Sequence, residues 1–527
     1  MQDKLDQSWS SLDKKWDVII IGGGITGAGL FRMASACGLK TLLVDARDFS
    51  FGTSSRSSKL IHGGIRYLRN LQFKVTYENV RERERILREA TNLVIPLEFI
   101  FPIYKKYHYT PTQVGITLGI YDCFGKKNAH GILTNSELDF LAPTLNRHNL
   151  SFSFHYFDAT VDDSRLVFKN IQEGIELGGT ALNYVQVIDF IKNHSGLVKG
   201  IVIKLNKNDH KDKHQELFAR VIVNATGPWT DELRSKITND RIIRKLRGSH
   251  IQFTSSRFPI NRAFSLVHPI DKRALFVLPW EGVTVIGTTD LDHPADYERD
   301  YDEPFMTYLE EEYLLIAANH FFPSLQLTSK DIISSFSGLR PIVSSNKTKP
   351  SKASRAHVVL EDNELITITG GKMTTYRQMA YEVMKKIQQR VSLPKRLERK
   401  TKIFHESTEI DEKDCSFALI HRWQGRFGKR LPDFLASIQK DEQAIISETQ
   451  TSWAEIRWAA RNERIVHLDD LLLRRVRLGL LLPKGGMQHE DRIRKIVMEE
   501  CGWNDEKWKE ESQRYREIIS RYYSKSS

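Results

Sequence analysis

The chain is 527 residues long, 40% hydrophobic and 27% charged, with a formal net charge of +12. That length admits about three domains, the composition excludes a disordered chain, and no stretch offers the roughly 18 continuous apolar residues of a spanning helix. Four widely spaced cysteines, Cys37, Cys123, Cys415 and Cys501, argue against a disulfide framework and a clustered metal site, so no metal is expected and a reducing cytoplasm fits.

The first 15 residues mix acids and bases, and the apolar run after them is too short for a secretory signal. Residues 17–21 read as a buried parallel strand. They run into Gly22-Gly23-Gly24-Ile25-Thr26-Gly27, a GxGxxG at Gly22, Gly24 and Gly27, and a helical segment follows as far as Gly38. A second apolar run, residues 41–44, ends in Asp45, 18 residues past Gly27. A dinucleotide-binding βαβ unit needs an acid there for the ribose hydroxyls, and its glycines let the pyrophosphate approach the helix N-terminus. NAD and FAD share this fingerprint. Ala225-Thr226-Gly227-Pro228-Trp229 and Gly370-Gly371-Lys372, each at the exit of a strand-like run, favour FAD, since they suggest strands returning to one cofactor from distant parts of the chain.

Residues 45–73 change character. Ser54, Ser55, Ser57 and Ser58 surround Arg56, and Lys59, His62, Gly63, Gly64, Arg66 and Tyr67 follow. Hydroxyls suit phosphate or flavin oxygens, paired glycines suit close approach, Arg66 suits a bidentate phosphate contact, and His62 suits proton transfer. A capped helix with solvent-facing bases is the plainer alternative. Residues 74–90 carry the alternating charge of a solvated helix face. The apolar runs at 93–104 and 114–121, flanked by Lys105, Lys106, Lys126 and Lys127, suit a membrane interface or, more simply, a buried strand and helix.

Asp163 and Ser164 are N-cap candidates for a helix over 166–177. Residues 180–205 alternate like strands, with a polar hairpin tip at 204–213. Strand-like runs continue through Gly248-Ser249-His250-Ile251 to Gly287-Thr288-Thr289-Asp290, and read as a separate antiparallel sheet over a flavin face. Arg340 is held extended by Pro341, and Arg355 follows a Lys/Ser-rich loop. Lys372-Met373-Thr374-Thr375 opens another helix toward a ligand. From residue 391 the periods are helical. Arg474, Arg475 and Arg477, set among leucines, suit either a basic amphipathic helix on a membrane or a core helix with arginine pairs. The expected architecture is α/β: a Rossmann-like FAD-binding domain (16–92, 151–240, 331–390), an antiparallel-sheet substrate domain (93–150, 241–330) and an all-helical C-terminal domain (391–527).

Taken in order, GGGITGAG, TSSRSSKLIHGGIRYL, NATGPW, GSHI, IGTTD, SGLRP and GGKMTTYR closely resemble the FAD-dependent sn-glycerol-3-phosphate dehydrogenases over residues 16–380, and DLLLRRVRLGLL looks like that family's helical cap domain. The resemblance implies the D-amino-acid-oxidase-like fold. It implies oxidation of glycerol 3-phosphate to dihydroxyacetone phosphate, with hydride passing to flavin N5 and electrons to a membrane quinone. With a membrane quinone as acceptor, a cytoplasmic protein seated peripherally on the inner face of the membrane is expected; the +12 charge suits an anionic surface there, the lack of zinc-finger spacing or an RNP-type motif disfavours nucleic acid, and a homodimer is left open. By family match His62, Arg340 and Lys372 are catalytic, with His62 as base and His250 as the second choice. Arg66, Tyr67 and Arg355 hold the phosphate. The positions assigned to FAD are Gly22, Gly24, Thr26, Gly27, Asp45, Ser54, Ser55, Ser58, Lys59, Gly63, Gly64, Ala225, Gly227, Gly371, Thr374 and Thr375. The rivals are a glycerol-3-phosphate oxidase using oxygen, an amino-acid oxidase of the same fold, and a flavin-binding protein without activity. The lack of a domain-sized insertion between the motifs disfavours the first, the phosphate-directed arginines the second, and the intact His, Arg and Lys the third.

Overall fold

The computed structural model describes residues 9–69, 72–107, 109–125, 129–206, 214–293, 303–343, 356–399, 402, 404 and 416–525. Its first sheet has eight strands. Six run in the order His357–Asp362, Leu365–Gly370, His214–Asn224, Lys15–Ile21, Thr41–Val44 and Thr180–Leu182, and the hairpin Val185–Lys192/Val198–Leu205 pairs onto His214–Asn224. From Leu365–Gly370 to Thr180–Leu182 all neighbours are parallel. Parallel strands covered on both faces must be apolar throughout, and Val18, Ile19 and Ile20 are fully buried. Each such side chain stabilises the fold by about 1.5–3 kcal/mol. The helices Ile25–Ala36, Asp163–Glu176 and Tyr376–Gln388 pack together against one face. Glycine at position 29 lets Tyr376 lie against the first of them, since a Cβ there would strike its ring.

The N-cap of Asp163–Glu176 is Asp162, whose side chain accepts from Arg165 N at 3.2 Å. The sequence suggested Asp163 or Ser164. Asp163 instead points into the core, where Lys59 and Arg477 donate to it.

The second sheet has ten strands and is antiparallel except where Ala263–Val267 meets Val94–Tyr104. Three strands that fall wholly or mostly within the ranges assigned to the FAD-binding domain by sequence pair into this sheet, among them Leu60–Ile61, bonded to Leu150–Val161. Leu150–Val161 pairs with Val94–Tyr104 along its length, and Ser334–Val343 pairs with Ile243–Thr254 from Ser334↔Gln252 to Val343↔Ile243. The helix Tyr308–Phe321 covers part of this sheet, and Phe73–Glu89 and Pro111–Gly125 pack beside it. The apolar run at 93–104 is thus a strand, and 114–121 lies within a helix. The expected hairpin tip falls between Val198–Leu205 and His214–Asn224, and its residues 207–213 lie outside the described ones, as do Lys126 and Lys127.

Residues 416–525 are helical apart from one isolated bridge. Residues 468–482 form a π-helical turn, Asp470–Arg475, and a short helix, Leu478–Leu481. Their leucines join one core with Trp280, Val285 and Phe336 of the second sheet. Arg474, Arg475 and Arg477 are buried with them, so the segment is a core element with arginine pairs rather than a membrane-facing helix. Among the described residues no helix is long and apolar enough to cross a membrane.

Candidate active site

Strands Lys15–Ile21, His214–Asn224 and Leu365–Gly370 end side by side, with Ile21 opposite Asn224 and Asn224 opposite Thr367. The crevice beyond the carboxyl ends of parallel strands is where this sheet type binds ligands. Here it has a volume of about 770 Å³ and runs between the two sheets. Gly22, Gly24, Thr26, Asp45, Ala225, Gly227, Gly371 and Thr374 all line it.

The fingerprint is built for a close anion. Gly22 has φ +110°, and a Cβ on Gly27 would collide with the Gly22 carbonyl, so the turn and the helix start are pressed together. Gly24 offers no side chain to cap Ile25–Ala36, and its first turn holds no acid. Ser54 Oγ accepts Ile25 N at 2.9 Å. Asp45 Oδ2 accepts Gly23 N at 2.6 Å and Oδ1 accepts Arg47 N at 2.9 Å, which locks the carboxylate beside the glycines. Burial pushes the Asp45 carboxyl up to about 6, against these bonds. A diphosphate carrying a ribose fits this cradle of N–H groups ending in an acid.

Where the sheets face each other the lining becomes cationic. His62 lies half-buried with its ring edge-on to Phe276, centroids 6.1 Å apart. Its main chain is tied to Thr374, whose Oγ1 accepts from His62 N and donates to His62 O, each at 3.3 Å. Lys372 Nζ sits 3.9 Å from the centre of the Tyr67 ring. Arg340 donates to Thr288 Oγ1 (2.8 Å), Thr289 O (3.2 Å) and Asp290 Oδ1 (3.1 Å), which fixes its fork across the sheet.

His250 is fully buried and stacked on Phe336, with its Nε2 2.9 Å from Ser58 Oγ. Its Nδ1 has no hydrogen-bond partner among the described residues. Burial first, then the Arg340 and Lys59 charges, hold its pKa well below the ordinary histidine value. Three motif glycines are gaps for these side chains. A Cβ on Gly248 would strike the Arg340 guanidinium, one on Gly287 the His250 ring, and one on Gly338 the Arg56 carbonyl.

Several expected contacts fall elsewhere. Lys59 is fully buried behind the crevice wall, where its ammonium meets Asp163 (2.8 Å) and Ser55 O (2.6 Å). Burial, with Arg477 nearby, pushes it down to about 7. Ser55 is buried in the same layer, and Thr375 Oγ1 turns back to Lys372 O. Gly63 makes its close approach to Tyr121 and Val80, not to the crevice. None of these four residues is among those lining the crevice. Arg66 lies on the Ile65–Arg69 helix, but its side chain is outside the described residues, as is all of Arg355. Arg273, absent from the sequence reading, lines the crevice beside Asp290. In the stretch IDKRAL it looks like a solvated turn, and only the strand pairing brings it there.

These fittings define a dinucleotide-dependent oxidoreductase of the flavin class. Residues 17–377 match the FAD dependent oxidoreductase family, and residues 365–508 match the C-terminal domain of alpha-glycerophosphate oxidase. An aerobic glycerol-3-phosphate dehydrogenase of Bacillus subtilis is 32% identical over 472 residues, covering 87% of this chain and 81% of that protein. One from Staphylococcus haemolyticus is 34% identical over 378 residues, 71% of this chain and 67% of that protein. The FAD-complexed glycerol-3-phosphate dehydrogenase structure from Bacillus halodurans superposes with a TM-score of 0.75 at 26% identity, over 99% of this chain and 97% of that one. The chain belongs to the FAD-dependent oxidoreductases, within the aerobic glycerol-3-phosphate dehydrogenase family, and its cofactor is FAD.

Proposed function

We propose that this crevice oxidises sn-glycerol 3-phosphate to dihydroxyacetone phosphate and that the electrons leave to a membrane quinone. The observation that carries the first half is the gathering of His62, Arg340, Lys372 and Tyr67 on the wall where the two sheets meet. A secondary alcohol with a phosphate tail needs cations to hold it and a base for its hydroxyl proton. FAD, when bound, supplies the two-electron acceptor, and the chain's own residues do the rest.

His62 takes the proton from the C2 hydroxyl. It suits that task better than His250, whose imidazolium would be fully buried beside the Arg340 and Lys59 charges. Arg340 and Lys372 stabilise the negative charge that grows on the same oxygen. Tyr67 bounds the site, and the phosphate roles of Arg66, Tyr67 and Arg355 rest on the family's pattern. Phe276 and the Tyr67 ring keep bulk water from the reacting carbon. Arg340→Ala is expected to keep a normal flavin spectrum while turnover falls about 100-fold or more, the typical loss for one preorganised donor; steady-state kinetics at the wild-type level would remove Arg340 from the site.

The quinone half rests on the relatives' description as aerobic dehydrogenases and on an exposed apolar rim. Phe73, Tyr77 and Ile116, on the helices Phe73–Glu89 and Pro111–Gly125, are 45–61% exposed. Amphipathic surface of this kind suits peripheral seating on a bilayer, which is where a quinone is met. The holoenzyme should bleach on anaerobic glycerol 3-phosphate and recover its colour on a soluble quinone far faster than on air. Rapid reoxidation by air with peroxide release would make it an oxidase instead.

A further inference from the structure

Residues 48–59 form one wall of the crevice with almost no regular structure of their own; the single element is the 3-10 turn Thr53–Ser55. In front, this wall touches the cofactor fingerprint. Ser54 Oγ accepts Ile25 N, and Ser50 N donates to Gly23 O at 3.0 Å. Behind, it is gripped by the C-terminal region. Arg477, with no exposed surface, donates to Ser55 O at 2.9 Å and to Asp163 Oδ1 at 3.0 Å. Asp163 in turn accepts from Ser57 Oγ at 2.8 Å. Arg475 makes a two-pronged contact with Asp48, at 2.7 and 2.8 Å, and Arg474 Nε reaches the same carboxylate at 2.6 Å.

Buried ion pairs are a weak source of net stability, since apolar residues of like volume do as well. Planar guanidinium forks supply direction instead, fixing a carbonyl or carboxylate at a set angle. Arg474, Arg475 and Arg477 also bond within their own region, to Asp469 and Asp470, to Glu463 O and to Leu473 O, but each reaches forward to fix a group of the wall or the side chain that holds it.

We propose that Arg475 and Arg477 are positioning residues for the cofactor: by fixing Asp48, Ser55 and Asp163 they hold residues 48–59 in the shape that receives FAD, so docking of the C-terminal helices and retention of FAD are coupled. Such coupling is reciprocal, so FAD must tighten the C-terminal segment as much as the segment tightens FAD. The inference rests on the crevice being the FAD site and is independent of the electron acceptor.

Two measurements test it. In the first, holoenzyme is diluted and FAD release is followed by the rise in free-flavin fluorescence. Arg477→Met is expected to release FAD about tenfold faster or more, within the usual range of site-to-site coupling, and Arg477→Lys to fall between it and the parent. Arg457→Met is the control: it removes an arginine from Glu442 and Glu500 in the same helical region, away from the wall. It should lower the unfolding midpoint while leaving release within about twofold, the scale of an uncoupled site. In the second, hydrogen exchange on the full-length parent protein is compared before and after flavin removal. Exchange should quicken over residues 471–482 as well as 48–59. Parental release from Arg477→Met, or exchange over 471–482 that ignores FAD while residues 22–27 respond, overturns the proposal. Should Arg477→Met fail to fold, the exchange comparison alone decides.

Discussion

His62→Ala is expected to yield yellow, FAD-loaded protein whose turnover has fallen by about 10²–10⁴-fold, the range of a lost general base. The cofactor should stay because the tie to Thr374 runs through the His62 main chain, which the substitution leaves in place. Stopped-flow reduction by glycerol 3-phosphate reads the effect directly. A reduction rate equal to the parent's would transfer the role to another group, with His250 the next to test. Both histidines line the crevice, but His250 is fully buried, stacked on Phe336, bonded to Ser58 and kept neutral by its surroundings, whereas His62 is only half-buried.

Asp48→Ala should be strongly damaging although Asp48 does not line the crevice. It strips Arg474 and Arg475 of a fully buried partner, and breaking such a pair by removing one side typically costs about 3–5 kcal/mol. The unfolding midpoint in denaturant should drop sharply, and a parental midpoint would show that the two arginines find other acids. Asp469 and Asp470 already serve Arg474, so Arg475 carries most of the loss. Burial alone would raise the Asp48 carboxyl, but Arg475 and Arg474 bring it below its usual range. Its contribution to stability is therefore complete above the unfolded value of about 3.9 and is lost as pH falls through the lower folded value.

Local chemistry was readable where a motif acts on its own neighbourhood. The strand, glycines and Asp45 of residues 17–45 lie within one βαβ unit, and their spacing alone defines the cradle. The glycines of GSHI, IGTTD and SGLRP are different. In sequence nothing marks their neighbours, but each makes room for a side chain or carbonyl brought from elsewhere by strand pairing. The same cause moved Ser334–Val343 into the second sheet, since its partner Ile243–Thr254 lies some 90 residues earlier and no local signal marks the register. Lys59 and Ser55 lie behind the crevice wall, and no sequence signal says so, since a buried lysine behind a wall and an exposed one in front of it read alike. Asp162 and Asp163 show the limit at one-residue scale: adjacent acids, one capping a helix and the other anchoring two cations, told apart only by which way the chain turns.

The buried contact between Asp48 and Arg475 joins residues 427 positions apart. A ribosome adding about 5–20 residues per second delivers the arginine roughly 20–85 s after the aspartate. Throughout that interval the first βαβ unit exists without its backing, with an acid that must stay hydrated and a wall that stays open. On the coupling proposed above, the flavin pocket of a nascent chain would be finished only once the segment carrying Arg475 has emerged, and cofactor capture would fall late in synthesis.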